Sequence, residues 1–123
     1  MKISNINAVM YIEILKQYLD RDDYLGYAAA RNIRRLQDTS VEYIKTRDKL
    51  IGKYGSDQID DDGNKTGYRT ITSESPNFKD FYNELETFNK IEHDVEITLV
   101  PSSEIIGKLT GSQILDIDWM LED

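Results

Sequence analysis

The chain has 123 residues, 39% of them hydrophobic, and 23 acidic against 15 basic side chains give it a net charge of −8. That length and apolar content predict one domain over residues 1–123 with a modest core. The lack of cysteine excludes disulfide and thiolate chemistry, no run reaches the ~18 apolar residues of a membrane span, and residues 1–6 carry no signal-peptide pattern, so a cytoplasmic protein without membrane contact is expected.

Ser4 or Asn5 is placed to cap a first helix running to about residue 19, with Ile6, Val9, Met10, Ile14 and Leu15 as its apolar face. The polar run 20–23 then turns the chain, and so short a link predicts an antiparallel neighbour. That neighbour is the dominant feature, a single helix over residues 22–54. Gly26, Ala29, Ile33, Leu36, Ser40, Tyr43, Leu50 and Tyr54 recur at steps of three and four, with Arg47 as the polar member of the row. Val41, Ile44 and Ile51 widen this stripe on one side, as if for a second neighbour. Asp22 and Asp23 favour the helix start, Lys49 and Lys53 its end, and Gly55 suits a left-handed closing residue. Such a helix runs roughly 48 Å. One small domain cannot cover it all, so a partner helix, a kink near Thr39 and Ser40, or a second subunit is implied.

Beyond Gly55 the chain turns polar. Asp61-Asp62-Gly63-Asn64 is a turn former, and Tyr68, Thr70 and Thr72 alternate with Arg69 and Ile71. Residues 58–60 are the short partner strand if this segment is a hairpin; a loop is the other reading. Ser75-Pro76 has the form of a cap followed by proline at the first helical position. Phe78, Phe81, Tyr82, Leu85 and Phe88 mark a helical core face to about residue 89. Val95, Ile97 and Leu99 alternate with polar residues, which predicts a strand over 93–100, ended by Pro101. Ser102 or Ser103 caps a helical turn to Leu109, Thr110-Gly111 breaks it, and Ser112 opens a last helix carrying Ile114, Leu115, Trp119 and Met120. The predicted fold is α+β: a long central helix in an antiparallel helical assembly, with a small antiparallel β-sheet made from the middle hairpin and residues 95–99.

Charge is unevenly spread. Residues 1–54 hold ten Lys/Arg and seven Asp/Glu; residues 55–123 hold five and sixteen. An acidic second half repels bare nucleic acid and attracts basic protein surfaces, although acidic surfaces also simply keep proteins dissolved. The densest cluster, Asp57, Asp60, Asp61 and Asp62, is the candidate partner-binding surface, able to imitate nucleic-acid phosphates. A calcium loop is excluded there: with Gly63 as the loop glycine, Gln58 and Arg69 fall at ligand positions. The other constellation is Tyr27, Arg31, Arg34 and Arg35. These residues share one side of the long helix, where guanidinium groups beside an aromatic ring can grip phosphate and stack on a base. The plainer alternative pairs Arg34 and Arg35 with Asp38 and the neighbouring acidic half. His93 is the only histidine and has no triad or metal pattern around it. No phosphate-cradling glycine loop is present. No catalytic residue, metal or cofactor is assigned, and an enzyme is not expected.

Residues 28–35 with Asn32 and Ile33, the Tyr43…Arg47…Leu50-Ile51…Tyr54-Gly55 run, the Asp/Gly/Asn turn, the helix from Phe78 to Leu85 and the terminal Leu115…Trp119-Met120-Leu121 resemble small phage and prophage proteins of Gram-positive bacteria. Such proteins are similar in size and charge to anti-CRISPR and other anti-defence inhibitors, and to accessory proteins of virion assembly. The resemblance implies a viral setting in a bacterial host and carries over no functional residue. The resulting expectation is a binding protein that inhibits a defence nuclease, a CRISPR effector for example, without touching nucleic acid itself. The alternatives are a sponge for a signalling nucleotide, for which a homodimer would best enclose a site, and an assembly accessory protein.

Overall fold

The computed structural model describes all 123 residues. In chain order the elements are β1 (Lys2–Ser4), α1 (Asn5–Leu15), α2 (Tyr24–Tyr54), β2 (Ser56–Ile59), β3 (Lys65–Thr70), α3 (Phe78–Asn89), β4 (Glu92–Asp94), β5 (Val100–Pro101), α4 (Gly111–Asp116) and β6 (Leu121–Glu122). The fold is α+β, and α2 is the predicted long helix, unbroken through Thr39 and Ser40. The chain divides into two compact units, Met1–Ser40 with Glu92–Asp123, and Val41–Ile91.

The first unit holds the main core. Ala8, Ile12 and Leu15 of α1 pack with Leu25, Ala28, Ala29, Ile33 and Leu36 of α2, and Val95, Val100, Ile105, Ile117 and Met120 close the cluster. Ser4 caps α1 by accepting from Asn7 N at 3.3 Å. The helix ends sooner than expected, at Leu15, and continues as a 3-10 turn Lys16–Tyr18. Its buried side also differs from the expected one, because Ile6 and Met10 are nearly half exposed. Apolar residues surround α1 almost completely, so periodicity alone does not select a face.

α2 begins at Tyr24, one turn inside a small polar knot. The Asp23 carboxylate accepts from Gly26 N at 3.3 Å and pairs with Arg21 at 2.6 Å, with Lys108 3.9 Å away. Gly26 is required there, since a Cβ would lie 2.1 Å from the Arg21 carbonyl oxygen. The hydrogen bond from Arg21 is the largest influence on Asp23 and holds its pKa at about 2, with the cap bond and Lys108 adding to it. The unfolded value is near 3.9, so the unfolded chain binds more protons between these two values. This contribution is therefore complete above about pH 4 and is lost as pH falls towards 2. Urea midpoints of the parent and Asp23→Asn are expected to differ at pH 6 and to draw together as pH falls from 4 to 2.5. A gap that is constant across that range would remove the ion pair from the stabilising set.

The expected strand over 93–100 is not one strand, and the small β elements do not form one sheet. β4 pairs antiparallel with β1, with His93 opposite Ile3, and β5 pairs in parallel with β6, with Val100 opposite Leu121. Between them, residues 96–99 are bound by side chains of α2 instead of by a strand. Asn32 donates from Nδ2 to Thr98 O at 3.0 Å and accepts from Thr98 N at 2.8 Å. Arg35 donates to Glu96 O and Thr98 Oγ1, both at 3.0 Å, and the Tyr24 hydroxyl donates to Leu99 O at 3.3 Å. Asn32 is fully buried, and its amide satisfies both backbone groups of Thr98 as a neighbouring strand would. Further on, Thr110, not Ser112, opens the last helix in a reciprocal cap with Gln113. Trp119 stacks on Tyr11 at 4.1 Å, whereas Leu115, expected on the apolar face, is 76% exposed.

In the second unit, α2 from Val41 onward accompanies α3. The Tyr43 hydroxyl donates to Asn89 Oδ1, Lys53 Nζ donates to Glu84 at 3.1 Å, and the Tyr54 hydroxyl donates to the same carboxylate at 2.8 Å. Only Tyr43, Phe81 and Leu85 are fully buried apolar side chains here, so the expected phenylalanine core is thin: Phe78 is half-buried and Phe88 exposed. Ser75 does not cap α3. Its hydroxyl accepts from Thr72 N at 2.9 Å in the preceding turn, and the helix starts three residues later. Gly55 ends α2 without a positive φ, contrary to the left-handed closure expected of it. Space is the reason for glycine, because a Cβ would sit 2.5 Å from Ile51 O and 2.7 Å from Thr70 O, where β3 returns to the helix end.

Candidate functional site

Residues 56–70 form a hairpin, not a loop. β2 and β3 run antiparallel, with Ser56 opposite Thr70, Asp57 opposite Arg69, and an irregular register before Ile59. Gly63, at φ +82°, makes the turn at its tip. Every residue of both strands is exposed. A two-stranded ribbon with no covered face is marginal by itself. This one is tied at its base by Arg69, which donates to Gly55 O and pairs with Asp57 at 3.2 Å.

The four candidate carboxylates divide into two kinds. Asp57 is neutralised by Lys65 and Arg69, each at 3.2 Å, and the bond from Lys65 is the main reason its pKa lies below the usual carboxylate range. Asp60 builds the turn, its Oδ1 accepting from Asp62 N at 3.0 Å and Asn64 N at 2.9 Å. Asp61 and Asp62 remain, exposed at the tip and without an ion-pair partner. The proposed four-carboxylate surface is thus a two-carboxylate tip on a self-neutralised stem. Two strand residues had no part in the expected surface: Tyr68 is 72% exposed and Ile59 53% exposed. Strand alternation puts Tyr68 on the opposite side from Arg69 and its ion pairs. A tyrosine and an isoleucine alternating with polar residues were the available signal.

The arginine constellation also separates. Tyr27 is 60% exposed and meets Tyr24 edge-on at 6.3 Å. Arg31 and Arg34 are exposed on the same side of α2, and neither forms an ion pair, so the expected pairing of Arg34 with Asp38 does not occur. Arg35 does not pair with Asp38 either: its Nη1 donates to Glu96 O and Thr98 Oγ1, which holds the guanidinium against residues 96–99. His93 Nε2 donates to Asn5 Oδ1 at 3.0 Å, tying β4 to the start of α1. No three His, Asp or Glu side chains converge in a way that would hold a metal ion, and no helix is long and apolar enough to cross a membrane. Comparisons of this chain with family models, curated proteins and solved structures give no match.

Proposed function

We propose that this chain is a non-enzymatic binding protein that presents the tip of its hairpin to a basic surface of another protein. One observation carries the reading: Asp61 and Asp62 stand unpaired at the end of a ribbon exposed along its whole length, whose strands also leave Ile59 and Tyr68 open to solvent. Carboxylates offered this way imitate the phosphates that a basic nucleic-acid channel holds. Such a partner fits the viral setting implied by the sequence resemblance, in which a phage protein inhibits a bacterial defence nuclease, the CRISPR effectors being one class, inside the host cytoplasm.

The test is capture from a bacterial lysate followed by mass spectrometry, with Asp61→Lys/Asp62→Lys as the paired control. Asp60 is left intact because its substitution would dismantle the turn. The reading expects a basic nucleic-acid-binding protein, at least tenfold weaker retention by the charge-reversed variant, and weakening with salt as exposed charges are screened over ~8 Å. Equal retention by both proteins would end it, and recovery of phage structural proteins would favour an assembly role. A nucleotide sponge is the lesser reading. It keeps Tyr27, Arg31 and Arg34 but loses Arg35, and these residues lie along an exposed helix face rather than in the enclosed site that small ligands require.

A further inference from the structure

In the second unit, α2 carries two rows of side chains. The row containing Tyr43 and Tyr54 is engaged with α3 through Asn89 and Glu84. The other row is Val41, Ile44, Asp48 and Ile51, at steps of three, four and three, which is the spacing of a helix–helix seam. Val41 is 42% exposed, Asp48 is exposed, and Ile44 and Ile51 are only half-buried. The unit has 51 residues and three fully buried apolar side chains, a small core by the standard of domains that size.

We propose that a second copy of this chain covers this row, with the two α2 helices antiparallel. Charge selects both the occupant and the direction. In a parallel pair each Asp48 would face its counterpart. In an antiparallel pair with Val41 against Ile51 of the second copy, Asp48 falls against Ile44 and beside Lys45 of that copy. Lys45 and Asp48 each have only a loose partner in their own chain, Glu42 at 3.6 Å and Arg47 at 3.8 Å. The balance of the two units agrees. Val41–Ile91 carries eight Lys/Arg and ten Asp/Glu, whereas the rest of the chain carries seven and thirteen. Two copies therefore meet with least repulsion through this unit. The row spans about 15 Å of helix, well short of a permanent interface, so the pair is weak and reversible.

Sedimentation equilibrium of the full chain from about 5 to 500 µM is the direct measurement. A reversible monomer–dimer equilibrium is expected. Val41→Asp, at an exposed position, should weaken it at least tenfold with an unchanged circular dichroism spectrum, and Leu115→Asp, exposed in the other unit, should not. Asp48→Lys should weaken the pair, and adding Lys45→Asp should restore it. The chain has no cysteine, so direction is read by mixing Val41→Cys with Ile51→Cys under mild oxidation. The antiparallel pair gives the mixed 41–51 disulfide. A monomer at every concentration, a Val41→Asp variant that pairs like the parent, or a dominant 41–41 disulfide each overturns the proposal.

Discussion

Leu36→Asp is expected to abolish the cooperative melt of the unit formed by residues 1–40 and 92–123. Leu36, on the apolar face of α2, is fully buried in the main cluster. A carboxylate there has two options. It stays ionised with no cation beside it, or it takes up a proton and remains poorly hydrogen-bonded; both cost several kcal/mol, on the order of the ~5–15 kcal/mol that holds a domain together. Leu36→Ala provides the graded comparison. It leaves a cavity without a charge and should cost about 2–5 kcal/mol. Urea titration followed by circular dichroism reads both variants. If Leu36→Asp melts like the parent, Leu36 is not in the core, and the seam read along α2 is wrong.

The second large effect is expected at Asn32. Replacement by leucine keeps the number and branching of side-chain heavy atoms but removes both partners of Thr98, whose N–H and carbonyl are bound only through that amide. Leaving a buried donor and acceptor unmet costs ~1–3 kcal/mol each, so a loss of about 3 kcal/mol and a melting point lower by roughly 10 °C are expected. Asn32→Asp separates hydrogen bonding from packing. It is nearly isosteric and keeps an acceptor for Thr98 N, but its second oxygen faces Thr98 O with no proton to share at neutral pH. It should therefore do no better than leucine. Hydrogen exchange at the Thr98 amide gives the local readout, with protection lost in Asn32→Leu. A melting point within about 2 °C of the parent for both variants would show that residues 96–99 do not depend on this clamp.

Helices were the most legible part of the sequence, and most of all α2. Its row from Gly26 to Tyr43 is buried as the spacing implied, because a helix turns its own local sequence into a continuous stripe whatever covers it. The cap at Ser4 and the turn at Gly63 were legible for the same reason, since each is completed within a few residues. At the candidate site, the sequence indicated that the carboxylates cluster near a turn. It did not show that Lys65 and Arg69 cancel Asp57, or that Asp60 is consumed by the turn's own amides.

The chain by itself determined where helices form, where it turns, and how much charge it carries. Tertiary structure decided which groups remain available. Arg35 had the appearance of a ligand residue and became a backbone clamp; Asn32 had no structural role assigned in the sequence and became the buried bracket of Thr98. Residues 95–99 had the alternation of a strand, yet from Glu96 onward the hydrogen-bond partners are side chains more than sixty residues away in sequence. A buried amide or carbonyl must be satisfied, but nothing in its local sequence specifies which distant side chain will do so. That choice is made only when α2 and the returning chain are packed together.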